Sequence, residues 1–103
     1  MLVVTTVYEL EGDSIGLFRA AVTKQAEVSR QREIGCRRFD VAFDQKIPTR
    51  CCVCAVFTDS SAYDHHIVSE YFTTFGEVTL AWIVSQTVEF WELATSPSRV
   101  AGA

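Results

Sequence analysis

Apolar and polar residues follow two different periods along the chain, and these periods predict strands and helices. Residues 2–10 are rich in Val, Thr and Tyr and are apolar at both odd and even positions, which is typical of a strand buried on both faces. From Ile15 to about Arg32, apolar residues recur every three or four positions, as on one face of an amphipathic helix. Segments 36–44 and 50–58 flank a turn and predict a hairpin of two strands.

The second half of the chain predicts a helix that is broken in two. Asp59 or Ser60 is a suitable N-cap for a helix through His66, because either side-chain oxygen can accept a free backbone N–H of the first turn. Ser69 is a second residue of this kind, so the helix is predicted to break there. The short helix that follows is predicted to end at Gly76.

The order of the predicted elements indicates the fold class. Residues 83–93 have strand character, whereas 94–103 contain small residues and no pattern, so we predict one domain over 1–93 and a flexible C-terminal tail. The order strand, helix, strand, strand, helix, strand is that of the ferredoxin-like fold. The predicted class is therefore α+β, with a four-stranded antiparallel sheet and the helices on one face.

The two faces of the predicted hairpin differ in polarity. One face is apolar throughout, and the other combines apolar residues and cysteines with Arg38 and Asp40, which can pair. This second face is too apolar to remain in water, and a second copy of the chain related by a twofold axis is the simplest cover for it. We therefore predict a homodimer.

Composition and charge exclude some classes of partner. A net charge of −4, with nine scattered Lys and Arg residues, argues against nucleic acid or an anionic membrane as a partner, since both require clustered positive charge. The apolar segment 1–10 is too short to span a bilayer and has no basic leader. These features predict a cytoplasmic protein.

The motifs give no reason to expect a metal or an organic cofactor. The four cysteines, Cys36, Cys51, Cys52 and Cys54, lack the paired CxxC spacing of a zinc site, and strand alternation sends Cys51 to the face opposite Cys52 and Cys54. They are predicted to be reduced, structural thiols. The chain contains no glycine-rich phosphate loop, so no nucleotide cofactor is predicted.

Three segments together carry a resemblance to a known family. They are Gly35-Cys36-x-x-Phe39-Asp40-Val41, Phe57-x-Asp59-x-x-Ala62-Tyr63-x-x-His66-x-x-Ser69-x-x-Phe72 and Val88-Glu89-Phe90-Trp91-Glu92. Over about residues 2–93 the chain resembles the antibiotic biosynthesis monooxygenase family, which consists of small dimeric α+β barrels and includes cofactor-independent quinol monooxygenases and autoinducer-2-degrading proteins. The resemblance implies a dimeric α+β barrel that acts on a small molecule without a cofactor.

The resemblance also implies candidate site residues. His66 falls at the recurring helix histidine of the family, and an imidazole can take a proton from a phenol or an enol near neutral pH, so it is the predicted general base. Tyr71, where many relatives carry a second histidine, is the predicted hydrogen-bond donor to the substrate. The aromatic residues predicted to bind a flat substrate are Phe39, Phe57, Tyr63, Phe72, Trp82 and Trp91.

Departures from the family pattern leave more than one function open. Ala55 stands where relatives often carry a glutamate that could orient the histidine, and the chain has no asparagine, which excludes the asparagine-containing site of the haem-degrading branch. The leading hypothesis is a cofactor-independent monooxygenase of a small aromatic, quinol or enolic compound. The alternatives are a non-catalytic dimeric small-molecule-binding or stress-response protein of the same fold and an isomerase or degrading enzyme for an autoinducer-2-like signalling sugar.

Overall fold

The computed structural model describes residues 1–97. Their elements, in chain order, are β1 (Leu2–Leu10), α1 (Ile15–Arg32), β2 (Cys36–Phe43), β3 (Arg50–Phe57), α2 (Ser60–Ile67), α3 (Glu70–Thr79) and β4 (Ile83–Glu92), with short 3-10 turns before α1 and β4. The predicted order is confirmed, and each strand ends within one residue of its prediction. None of the helices in this part of the chain has the length and apolar character needed to cross a bilayer.

The four strands form one antiparallel sheet in the order β2-β3-β1-β4. The fold is therefore ferredoxin-like α+β, as predicted. In the register, Val4 of β1 lies opposite Ala55 of β3 and Phe90 of β4, so these three side chains share the face that packs on the helices. The main buried cluster between sheet and helices consists of Tyr8, Leu10, Phe18, Val22, Cys51, Val53 and Phe75.

The two faces of the β2–β3 hairpin have the predicted character. Phe39 pairs with Ala55 and Val41 with Val53, and all four side chains contribute to the hydrophobic core. On the opposite face Arg38 forms an ion pair with Asp40. The homodimer that this outer face suggested stays a prediction.

Two side-chain caps produce the predicted break between α2 and α3. Asp59 accepts a hydrogen bond from the backbone N–H of Ala62 at 2.8 Å, which begins α2. Ser69 accepts from the backbone N–H of Phe72 at 3.3 Å and donates its own hydroxyl to the carbonyl of His66 at 2.6 Å. The same serine therefore begins α3 and holds the last turn of α2, where His66 lies.

The prediction that the second short helix ends at Gly76 is wrong. Gly76 lies within α3, which continues to Thr79. Phe75 and Thr79 are both buried, and the Thr79 hydroxyl donates to the Phe75 carbonyl at 2.8 Å, so packing on both sides of the glycine outweighs its weak helix propensity of about 1 kcal/mol. Of the predicted tail, residues 94–97 have no regular structure, and 98–103 lie outside the described residues.

Candidate active site

A buried histidine is hydrogen-bonded to a carboxylate at the end of α1. His66 is 3% exposed, and its Nδ1 lies 2.9 Å from Oε2 and 3.2 Å from Oε1 of Glu33. The neighbouring His65 is exposed, because successive side chains on a helix point about 100° apart. His66 is therefore the one of the two histidines that faces the interior.

Glu33 reaches the histidine because the chain leaves the helix at this residue. Its backbone is extended, with φ −111° and ψ 108°, although its N–H still donates to the carbonyl of Ser29 at 3.0 Å. Its side chain is only 13% exposed. A carboxylate this sheltered from water interacts strongly with the imidazole, since the local dielectric is low.

Tyr71 completes a chain of three polar side chains. Its hydroxyl donates to the same Glu33 oxygen that bonds the histidine. Burial, the hydrogen bond to Glu33 and the negative charge of that residue together raise the pKa of Tyr71 to about 12. Tyr71 is therefore a neutral donor at neutral pH, and it fixes the position of the carboxylate.

This arrangement determines which imidazole nitrogen is available for chemistry. A carboxylate only accepts hydrogen bonds, so in the neutral imidazole of His66 the hydrogen is on Nδ1 and the lone pair is on Nε2. No described residue forms a hydrogen bond with Nε2. Every fully buried side-chain nitrogen or oxygen of the described residues has a partner. Nε2 is therefore not fully buried and retains accessible surface. The free lone pair of a buried, carboxylate-bound imidazole is the geometry of a general base.

His66 borders a cavity of about 190 Å³ between the sheet and the helices. Four aromatic rings surround the imidazole, with centroid distances of 4.6 Å for Phe72, 5.2 Å for Phe57, 5.9 Å for Phe39 and 6.4 Å for Tyr63. The remaining lining residues are Val4, Thr6, Tyr8, Val53, Ala55, Gln86 and Val88. None of the described residues that line the cavity is Lys or Arg, so these walls suit an uncharged, flat molecule.

The structure brings together five of the eight predicted site residues, His66 and the four aromatic residues around it. The other three do not line this cavity. Tyr71 bonds to Glu33 and borders a groove between α1 and α3. Trp82 packs at the edge of the main core cluster, and Trp91 is 51% exposed on the outer face of the sheet, where its Nε1 donates to Thr5 at 3.0 Å.

Glu33 is the site residue that sequence reasoning missed. The expected orienting carboxylate was in β3, where Ala55 is buried in the cavity wall. Glu33 supplies a carboxylate from the opposite side of the histidine. A weak signal exists in the sequence, an acidic residue just past the end of a helix and two before Gly35, but such a residue is more often solvated.

The cysteines carry no visible chemistry in this structure. Cys36 and Cys51 are buried free thiols, and burial is the main cause that raises the pKa of each to about 11. Within residues 1–97, no group of three or more His, Cys, Asp or Glu side chains is placed to hold a metal ion.

The family comparison agrees with this geometry. The profile of the antibiotic biosynthesis monooxygenase family matches residues 1–78. The chain belongs to this family. No curated protein matches the sequence.

Solved structures of family members share the whole fold. A protein from Bacteroides thetaiotaomicron has a TM-score of 0.88 at 17% identity, covering 96% of this chain and 94% of its own. A protein from Nitrosomonas europaea has a TM-score of 0.87 at 20% identity, covering 92% and 100%. An antibiotic biosynthesis monooxygenase has a TM-score of 0.85 at 24% identity, again covering 92% and 100%. At these identities the likeness establishes the fold, and the reaction has to be argued from the site.

Proposed function

We propose that the protein is a cofactor-independent monooxygenase that oxidises a small aromatic, quinol or enolic compound with molecular oxygen. The observation that carries the proposal is the Glu33–His66 pair, whose free Nε2 borders an apolar, aromatic-walled cavity. Membership of the monooxygenase family supports the reaction class.

In this reaction the protein activates the substrate rather than the oxygen. Nε2 of His66 takes a proton from a phenol, enol or activated CH₂, and the negative charge of Glu33 stabilises the imidazolium that forms. The electron-rich substrate anion gives one electron to O₂. Coupling of the two radicals then forms a carbon–oxygen bond.

The remaining steps balance atoms and electrons. The coupled product takes a proton and becomes a hydroperoxide, and loss of water breaks its O–O bond and leaves a carbonyl group. For a substrate R₂CH₂, the sum is R₂CH₂ + O₂ giving R₂C=O + H₂O. The substrate loses four electrons and O₂ gains them, so no further reductant is required.

The cavity walls support this chemistry in two ways. Phe39, Phe57 and Phe72 pack around the imidazole and exclude water that would compete for the proton or quench the anion. They also offer ring faces to a flat substrate. The volume of about 190 Å³ is below the range of about 300–1,000 Å³ usual for drug-sized ligands, which favours a substrate of one or two rings.

The same cavity argues against the alternatives. If Phe39 and Phe57 filled the interior, a non-catalytic role would be the better interpretation, but space remains beside His66. A phosphorylated signalling sugar would need a cation in the site, and no Lys or Arg of residues 1–97 lines the cavity. We also propose that the protein is cytoplasmic and acts as a homodimer. The homodimer is supported by Val3, Val7 and other residues of the outer sheet face, which are apolar and only half-buried in one chain.

The test compares the two adjacent histidines. His66→Gln should lower oxygen uptake on a panel of hydroquinones and naphthalenediols by about 10²–10⁴-fold, the range for loss of a general base. His65→Gln, which changes the exposed neighbour, should leave it unchanged. The proposal is overturned if His66→Gln keeps its turnover, or if the unmodified protein consumes no oxygen with any compound of the panel.

A further inference from the structure

Another polar group without a hydrogen-bond partner borders the cavity that His66 borders. Tyr8 of β1 is 7% exposed, and its ring packs on Phe18 with centroids 5.0 Å apart. No described residue forms a hydrogen bond with its hydroxyl. Every fully buried side-chain oxygen of the described residues has a partner, so this hydroxyl is not fully buried and retains accessible surface. Tyr8 is one of the residues that line the cavity.

The sheet register separates Tyr8 from the histidine. His66 packs on Phe39 of β2. Phe39 pairs with Ala55 of β3, and Ala55 pairs with Val4 of β1. Tyr8 is four residues further along the same strand and face, about 13 Å at 3.3 Å per residue. Tyr8 and the strand position next to the histidine therefore lie at different places in the cavity lining along the direction of the strands.

The environment of Tyr8 keeps its hydroxyl a donor. Burial is the main cause that raises the pKa of Tyr8 above its ordinary value of 10.0, so the phenol is neutral and carries its hydrogen over the whole neutral range. Gln86 lies directly opposite on β4, and Thr6 precedes Tyr8 on the same face. Both line the cavity, so this part is more polar than the aromatic surroundings of the histidine.

We infer that Tyr8 is a substrate-binding residue that selects compounds with two oxygens, one whose proton goes to His66 and a second that accepts a hydrogen bond from the Tyr8 hydroxyl. This inference rests on the proposed function, because it assigns the class of substrate for the same cavity. The substrate is then a hydroquinone, a hydroxyaryl ether or a hydroxyaryl ketone, rather than a simple phenol.

The physical reason for selection is the cost of an unpaired donor. A ligand that fills the cavity removes water from the Tyr8 hydroxyl, and without an acceptor on the ligand that hydroxyl stays unpaired. Leaving a buried donor unpaired is more costly than the net gain from making the bond, so sites of this kind discriminate mainly by rejecting the analogue that lacks the polar atom.

The experiment uses ligands that differ by one atom. 4-Methoxyphenol and 4-ethylphenol have nearly the same shape, but only the ether has an acceptor oxygen, and 6-methoxy-2-naphthol and 6-ethyl-2-naphthol form a longer pair. Dissociation constants are measured by calorimetry without oxygen, so that no turnover occurs. In the unmodified protein the ether should bind about 3- to 10-fold more tightly in at least one pair, as expected for one hydrogen bond.

Tyr8→Phe should remove this preference, since it deletes the hydroxyl and keeps the ring. Tyr63→Phe, which deletes the other tyrosine hydroxyl at the cavity, should preserve it. The inference is overturned if neither ether is preferred by the unmodified protein, or if the preference survives in Tyr8→Phe. The unmodified-protein comparison needs no variant to fold, and binding needs no catalysis, so failure here is distinct from failure of the His66→Gln test.

Discussion

Replacing Gly35 with alanine should destabilise the protein, because the glycine lies directly against α2 and leaves no room for a side chain. A Cβ at this position would lie 2.5 Å from the Cβ of Ala62 and 3.3 Å from Oγ1 of Thr58. The carbonyl of Gly35 also accepts the backbone N–H of Thr58 at 2.9 Å. The Ala62 Cβ is attached to the helix backbone and has no rotamer to escape into, so α2 itself must move.

The magnitude follows from this overlap. An ordinary contact begins near 3.4 Å, so α2 has to retreat by about 1 Å, and overpacking of this kind costs about 1–3 kcal/mol. Alanine also lowers the conformational entropy of the unfolded chain, and this offsets about 0.4–1 kcal/mol of the destabilisation. The expected net loss is about 1–2 kcal/mol, which lowers Tm by about 4–16 °C in a domain of this size.

The matched control is the same substitution in an open position. Gly76→Ala lies inside α3 with nothing within 4 Å of the new Cβ, so it should stabilise the protein by about 0.5–1 kcal/mol. Both variants are unfolded in urea at one protein concentration, because the stability of the proposed dimer would depend on concentration. Equal or higher stability of Gly35→Ala would refute the contact.

A double variant tests the partner of the contact. Ala62→Gly alone should cost up to about 1 kcal/mol through helix propensity, but in the Gly35→Ala background it removes the overlapping Cβ and should cost less or restore stability. A coupling energy near zero between the two positions would mean that they do not interact in this way.

Two further predictions concern the polar groups of the interior. Glu33→Gln keeps a hydrogen-bond acceptor beside Nδ1 but removes the negative charge that stabilises the imidazolium. Two opposite charges 4 Å apart attract by about 4 kcal/mol at an effective dielectric of 20, and loss of about half of this energy should lower kcat/KM about 30-fold. The control Glu27→Gln, which changes an exposed residue, should have no effect. Folding raises the pKa of Tyr71 from 10.0 to about 12 and the pKa of Cys36 and Cys51 from 9.0 to about 11. The unfolded chain therefore loses these protons at a lower pH than the folded protein. The stability that the three neutral groups provide is complete below pH 9 and is lost as pH rises toward 12. Urea midpoints that stay constant from pH 8 to 11 would contradict this second prediction.

The fold was predictable because its signals are local and redundant. The alternation in β2 and β3 predicted which side chains share the apolar face, and the register confirms it. Capping residues Asp59 and Ser69 predicted the helix break to within a residue. The wrong prediction at Gly76 arose because an isolated glycine is ambiguous between a helix end and a helix interior, and only the packing of neighbouring residues in three dimensions decides between them.

The site was predictable only in part, because its partnerships are not local. The family resemblance implied His66, and residue type suggested its aromatic neighbours, but Glu33 is 33 residues away from His66 in sequence. It lies at a helix end, where acidic residues are common. Tyr8 was interpreted as a strand residue, since alternation indicates the face of a side chain but not whether its hydroxyl finds a partner. The roles of both residues depend on hydrogen bonds in the folded chain, made by Glu33 and left unmade by the Tyr8 hydroxyl.

The position of the carboxylate in the fold matters less for the chemistry than its contact with Nδ1. With Ala55 in β3, the cavity wall behind the substrate is apolar, and the negative charge lies on the far side of the imidazole, where Glu33 also receives the hydroxyl of Tyr71. A carboxylate in the wall would repel the substrate anion that the base creates. A carboxylate behind the histidine stabilises the imidazolium without facing that anion. The absence of a glutamate from β3 is therefore compatible with a working base.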